Sequence, residues 1–260
     1  MNLRRLWRMI RLASALAACM MRFALKRFCG PLTPTQRSLW LQSACRGVLD
    51  SLGISYRIAG ETPSSGLVVS NHLSYLDIVF YSAAMPCFFV SKTEVMRWPY
   101  FGAAARAGGT IFLDRTSRGS AAAVAHEMAT RLSLPVPVLL FPEGTSTDGC
   151  EVRRFHSGLF QSAIDTGAPV IAAAIRYMPG AGAPESTLCW FGNAAFSSHL
   201  WKVLAAPSFT AEIVFGEPRV YADRRSAAES THECVAAMRD GKAARLGAEC
   251  FCNQLIRKSL

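Results

Sequence analysis

Short apolar runs alternate along most of this chain with longer stretches whose apolar positions recur at helical spacing. The runs near 67–70, 88–90, 110–113, 136–141 and 170–175 predict strands, with 54–58 opening the sheet and 187–191 and 211–215 as later strand-like segments. Strands that alternate with helical patterns predict an α/β fold with a largely parallel central sheet flanked by helices. A Pro- and Gly-rich loop covers 178–184, a closing helix is predicted over about 226–256, and the chain shows neither an internal repeat nor a low-complexity linker.

The start of the chain has a different pattern. At about 100° per residue, Arg4, Arg8, Arg11, Arg22 and Lys26 fall within roughly 60° of one another. Leu3, Leu6, Trp7, Met9, Ile10, Leu12, Leu16, Met20, Met21, Phe23, Leu25 and Phe28 cover the rest, which predicts an amphipathic helix with a narrow basic stripe and a wide oily face. A second helix is predicted from Thr35 to Leu52, with Thr33-Pro34 as its start signal and Gly53 as its stop. The two make an N-terminal amphipathic helical hairpin over residues 1–53, ahead of a main domain over 54–260.

Charge sharpens this division. The net charge is +10, yet residues 1–60 hold ten basic side chains against Asp50 alone, and the remaining 200 residues carry 18 basic and 17 acidic groups. Basic residues set apart from the rest of the chain fit an anionic membrane surface, where each contributes about 1 kcal/mol; a nucleic-acid partner is not expected. The longest uncharged stretch of the first helix, Leu12 to Met21, is ten residues, and a bilayer crossing needs about twenty. Arg22 and Lys26 interrupt its continuation and no small-residue cleavage site follows, so the expectation is a helix lying in the interface, not a span or a signal peptide. Nine cysteines are scattered through the chain and read as reduced thiols of a protein on the cytoplasmic face of the membrane. Cys250-Phe251-Cys252, without a second pair or nearby histidines, does not make a metal site.

Candidate chemistry sits at the end of the second strand, in Ser70-Asn71-His72-Leu73-Ser74-Tyr75-Leu76-Asp77. His72 and Asp77 are five apart and cannot share one helix face, so His72 precedes the helix. Ser74 to Asp77 reads as a capping box with Ser74 as N-cap, and the turn into the helix can fold His72 back onto Asp77. One carboxylate oxygen is then expected to cap the backbone and the other to take the ring proton. From these residues alone two readings stand: a general base with its orienting carboxylate, or a plain cap beside an ordinary loop histidine. The run over 136–141 stops at Pro142-Glu143-Gly144-Thr145-Ser146, a strand end suited to a polar ligand, and 110–113 ends in Asp114-Arg115. In open α/β sheets such strand-terminal residues gather at one site beyond the carboxyl ends.

With the intervening Lys92-Thr93-Glu94 and Trp98-Pro99-Tyr100-Phe101-Gly102, these segments resemble the glycerophospholipid acyltransferase family, typified by 1-acylglycerol-3-phosphate acyltransferases, over about residues 56–177. The resemblance implies that His72 deprotonates a glycerol-type hydroxyl and Asp77 orients it, while Arg115, Glu143, Gly144 and Thr145, with help from Lys92, hold the acceptor head group. It implies direct transfer from an acyl thioester, on acyl carrier protein or coenzyme A, with no cofactor beyond that co-substrate. The expected acceptor is a lysophospholipid, 1-acylglycerol 3-phosphate giving phosphatidic acid; the alternatives are a lyso-ornithine lipid or a non-catalytic lipid-binding relative. The fourth block departs from the family pattern, lacking a second proline near Ala172, which bears on acyl-chain or acceptor preference.

Other motifs fall short. Gly144-Thr145-Ser146-Thr147-Asp148 lacks the second glycine of a nucleophile elbow. His126-Glu127-Met128-Ala129-Thr130 lacks the second histidine of a zinc protease helix, and Gly180-Ala181-Gly182 does not join a strand to a helix as a dinucleotide site requires.

Overall fold

The computed structural model describes residues 3–98, 101–114, 120–180 and 182–241; Arg115, Pro99, Tyr100 and the Cys250 to Cys252 segment lie outside the described residues. The chain runs α1 (Leu3–Phe28), α2 (Pro34–Leu52), β1 (Ser55–Ala59), β2 (Leu67–Ser70), α3 (Leu76–Ala84), β3 (Phe88–Lys92), α4 (Phe101–Gly108) and β4 (Ile111–Leu113). It continues α5 (Ser120–Leu132), β5 (Val138–Leu140), α6 (Gln161–Thr166), β6 (Val170–Met178), α7 (Phe196–Ala205), β7 (Thr210–Phe215) and α8 (Arg224–Arg239). The strands form one seven-stranded sheet in the order β1-β7-β6-β2-β5-β3-β4. Every neighbouring pair is parallel except β6 with β7. This is the expected α/β fold.

Helices cover both faces of the sheet. Val68, Leu139, Ile171, Ala173 and Ile175 point to one core, packed under α2, α3 and α7. Their alternate neighbours Leu67, Val69, Val138, Leu140, Val170 and Ala172 point to a second core under α5, α6 and α8. A strand buried on both faces is apolar at every position, which is why these segments read as unbroken runs.

Two expectations on extent need correction. The 136–141 run is a strand only over Val138–Leu140, because Pro137 and Pro142 bracket it and neither can donate to the ladder. The 187–191 segment is no strand: a 3-10 turn over Glu185–Thr187 leads into a loop whose Leu188 and Cys189 are buried and whose Trp190 N–H donates to Leu73 O at 2.8 Å. A short apolar run fits a buried loop as well as a strand.

The predicted hairpin is present. Thr33 caps α2 in a reciprocal box with Gln36, and Gly53, at φ 63°, ends it in the left-handed conformation. Helix α1 lies against α2, with Phe23 and Trp40 rings 4.8 Å apart and the Trp40 indole donating to Cys19 O at 3.1 Å. Two members of the basic stripe are turned toward the protein: Arg8 donates to Ala206 O at 2.6 Å, just past α7, and Arg11 to Asp50 O at 3.1 Å in the last turn of α2. Each guanidinium meets carbonyls at the negative end of a helix dipole. Met9, Leu12, Met20 and Phe23 pack on the core. Leu3, Trp7, Ile10, Met21, Leu25 and Phe28 are left exposed, and at about 100° per residue they too fall within roughly 60° of one another. The oily side of α1 is thus two faces, one packed inward and one open. Among the described residues no helix is long and apolar enough to cross a membrane.

Candidate active site

The carboxyl ends of β2, β5 and β6 bring the site together. Beyond the last paired residues of β2 and β6, Ser70 and Ala173, the Asn71 side chain takes over the ladder. Its amide donates to Ile175 O at 3.0 Å and its oxygen accepts from Ile175 N at 2.9 Å. A side chain acting as a peptide group holds β6 beside the chain just where His72 turns away.

The backbone of His72 is gripped at both ends. Its N–H donates to Glu143 Oε1 at 2.7 Å, and its carbonyl accepts from Thr147 N at 2.9 Å. The ring stacks on Phe141, centroids 4.2 Å apart, and Nδ1 lies 2.8 Å from Asp77 Oδ2. The structure therefore brings His72 and Asp77 together.

The cap differs in detail from the one expected. Asp77 Oδ2 alone takes the ring nitrogen and the backbone N–H groups of Leu73 at 2.7 Å and Ser74 at 3.0 Å. Oδ1 is left for a residue that sequence reasoning missed: the Tyr177 hydroxyl, at the far end of β6, donates to it. The Ser74 hydroxyl accepts from Leu76 N at 3.3 Å rather than from Asp77 N. Asp77 is completely buried, and a buried carboxylate is tolerated when its lone pairs are filled by donors. Nothing in the local spacing signals a partner 100 residues away.

Glu143 is 4% exposed, and both of its oxygens are taken by backbone N–H groups, of His72 and of Arg153 at 3.0 Å. Burial raises its carboxyl above the ordinary value, while the Arg153 and His72 N–H groups oppose that rise. This geometry braces the His72 backbone. In Glu143→Gln, the amide NH₂ must face one of those two N–H donors, so one hydrogen bond becomes a donor–donor clash worth about 1 to 3 kcal/mol. The expected result is a lower melting midpoint and a lower kcat with an unchanged KM for the acceptor. A rise in KM alone would instead assign Glu143 to the head group.

Gly144, at φ 72°, allows the sharp turn after Pro142. Gly144 and Thr145 line a cavity of about 410 Å³ that His72 also lines. Its walls come from Leu12 and Leu16 of α1, Ala44 and Val48 of α2, Ile78 and Val79 of α3, and the Trp98, Phe101 and Trp190 rings. Lys92, exposed at the end of β3, stands on its rim. His199, a histidine with no partner evident from sequence, is buried behind this wall with Nδ1 3.1 Å from the Tyr75 hydroxyl. No group of side chains able to hold a metal occurs among the described residues.

An α/β sheet here sets a paired histidine and carboxylate beside an oily cavity, and comparisons with known proteins name the class of enzyme. The acyltransferase family model matches residues 57–176. The lyso-ornithine lipid O-acyltransferase of Rhodobacter capsulatus is 35% identical over 77% of this chain and 75% of its own length. The 1-acyl-sn-glycerol-3-phosphate acyltransferase of Neisseria meningitidis is 32% identical over 70% of this chain and 72% of its own. Among solved structures, the 1-acyl-sn-glycerophosphate acyltransferase PlsC of Thermotoga maritima shares the fold, with a TM-score of 0.70 at 18% identity over 94% of this chain and 97% of that one. The chain belongs to the acyltransferase family, and it is an acyltransferase enzyme.

Proposed function

We propose that this enzyme moves a fatty acyl group from an acyl thioester to the free hydroxyl of 1-acylglycerol 3-phosphate, working at the cytoplasmic surface of a membrane. The observation that carries the reading is the His72 to Asp77 contact of 2.8 Å beside a largely apolar cavity of about 410 Å³. With Nδ1 committed to Asp77, Nε2 is the nitrogen that accepts a proton. The acceptor hydroxyl gives its proton to Nε2 as its oxygen attacks the thioester carbonyl. The carbon–sulfur bond then breaks, and the leaving thiolate collects the proton from Nε2. No acyl-enzyme forms, since His72 acts as base and the attacking atom is the acceptor oxygen. The oily walls suit an acyl chain. Lys92, which lines the cavity together with Gly144 and Thr145, is our assignment for the phosphate, and Arg115 joins it on the resemblance alone. Glu143 serves as a positioning residue.

The acceptor is tested by offering the purified enzyme a panel of lysolipids with one labelled acyl thioester, presented on coenzyme A and on acyl carrier protein, and following products by mass. Phosphatidic acid is the expected product. Incorporation only into lyso-ornithine lipid, the acceptor named for the Rhodobacter capsulatus relative, would overturn the head-group choice.

The open face of α1 supports surface attachment. Trp7 and Ile10 are 60% and 50% exposed, and burying such side chains contributes about 1.5 to 3 kcal/mol each. The double variant Trp7→Ser, Ile10→Ser is expected to lower partition onto anionic vesicles at least about 10-fold while leaving the melting midpoint unchanged. Unaltered sedimentation with vesicles would remove this face from the membrane contact.

A further inference from the structure

We infer that Tyr177, clamped by the Arg239 to Glu185 ion pair, is a positioning residue that fixes Asp77 and through it tunes the proton affinity of His72. The inference rests on the catalytic reading above.

Tyr177 is 3% exposed and is not among the residues that line the cavity. Its ring packs against Phe80 and Phe209, centroids 5.7 and 6.1 Å away. A phenylalanine would make the same contacts, and the hydroxyl has one partner, Asp77 Oδ1. A buried hydroxyl is costly without such a bond. Burial and the charge of Asp77 hold the phenol far above its ordinary value, which keeps it a donor. A donor on Oδ1 draws negative charge away from Oδ2, the oxygen that faces His72.

The tyrosine is held in turn from behind. Its backbone N–H donates to Glu185 Oε1 at 2.6 Å. Arg239, near the end of α8, reaches Glu185 Oε1 at 2.9 Å, Oε2 at 2.8 Å and Ile175 O at 3.0 Å, and its second terminal nitrogen also donates to Gly149 O. Gly149, at φ +85°, lets the chain pass that fork; a Cβ there would stand 2.9 Å from the Arg239 nitrogen and 3.0 Å from Glu185 Oε2. Contacts thus run from α8 through the end of β6 to Asp77 and His72.

Among the described residues, the other titratable or charged groups around the dyad are Tyr81 on α3, Glu143 after β5, Cys189 in the loop before α7, Lys92 on the cavity rim, and Glu185 with Arg239 behind. Tyr177→Phe leaves all of these in place and removes one donor from Asp77. The carboxylate then stabilises the imidazolium more strongly but is held less firmly.

The test is kcat and KM against pH for wild type, Tyr177→Phe, the full-length protein with 3-fluorotyrosine at position 177, and His72→Ala. Tyr177→Phe is expected to lose about 10-fold in kcat, the scale of one hydrogen bond to a charged group, with acceptor KM unchanged. The acid limb of its kcat profile moves to higher pH. The fluorinated side chain keeps the shape and donates more strongly, so its limb moves to lower pH, and this arm decides the matter alone if Tyr177→Phe does not fold. An unmoved limb in the folded variants, at any kcat, would overturn the positioning role while an inactive His72→Ala left the catalytic reading intact. An active His72→Ala would overturn both.

Discussion

His72→Ala is expected to lose acyl transfer by at least about 10²- to 10⁴-fold, the range over which a general base contributes, while the protein stays folded. The separation of fold from function follows from the contacts. The His72 backbone is held through its N–H by Glu143 and through its carbonyl by Thr147, bonds that the substitution leaves in place. Deleting the imidazole takes from Asp77 one donor of four, leaving the Leu73 and Ser74 N–H groups and the Tyr177 hydroxyl in place. The buried carboxylate therefore keeps partners on both oxygens, and the large penalty of an uncompensated internal charge does not arise. What disappears is the imidazole beside the cavity, the group proposed to take the hydroxyl proton. The ring is about one-fifth exposed, so added imidazole can reach the vacated space, and partial recovery with imidazole would mark the loss as chemical. Wild-type rates of labelled product with an unchanged circular dichroism spectrum would remove His72 as the base.

The dyad was legible because both its members lie within one turn of chain, and a strand end followed by a capping pattern dictates how that turn folds. The sheet was legible because a strand covered on both faces must be apolar at each position, as Leu67, Val68 and Val69 are. What escaped was non-local. Tyr177, Glu185 and Arg239 stand in three separate elements, and only the continuation of β6 past the end of β2 brings them up to Asp77. Asn71 looked like any polar residue before a turn; its work as a surrogate peptide needs the extra length of β6 beside it. The 187–191 run showed the limit of pattern reading, since a loop that closes over a site can be as apolar as a strand. The basic stripe of α1 was visible, but its partial inward turn was not: Arg8 and Arg11 meet the carbonyl ends of neighbouring helices, so the proposed surface attachment rests first on the exposed apolar face.

Asp77→Asn is expected to fold and to lose between about 10²- and 10⁴-fold in kcat, the range over which a positioned general base contributes. The amide has only one orientation that suits the site. Its oxygen must replace Oδ2, where the Leu73 and Ser74 N–H groups and the ring nitrogen all donate; turned the other way, an NH₂ would face three donors. The NH₂ then takes the place of Oδ1, and the Tyr177 hydroxyl, which can accept as well as donate, receives its hydrogen bond. The imidazole thus keeps its orientation and tautomer, and the change isolates the charge. Stability falls by about 1 kcal/mol or less, for weaker bonds and for the loss of a carboxylate in the first turn of α3. Catalysis suffers more, because the imidazolium formed as the hydroxyl is deprotonated has lost its counter-charge in a site largely removed from water. For the same reason the acid limb of the kcat profile moves to lower pH, opposite to the shift expected for Tyr177→Phe. A folded Asp77→Asn enzyme with wild-type kcat, or with its limb displaced to higher pH, would show that the carboxylate is a helix cap and no partner to the base.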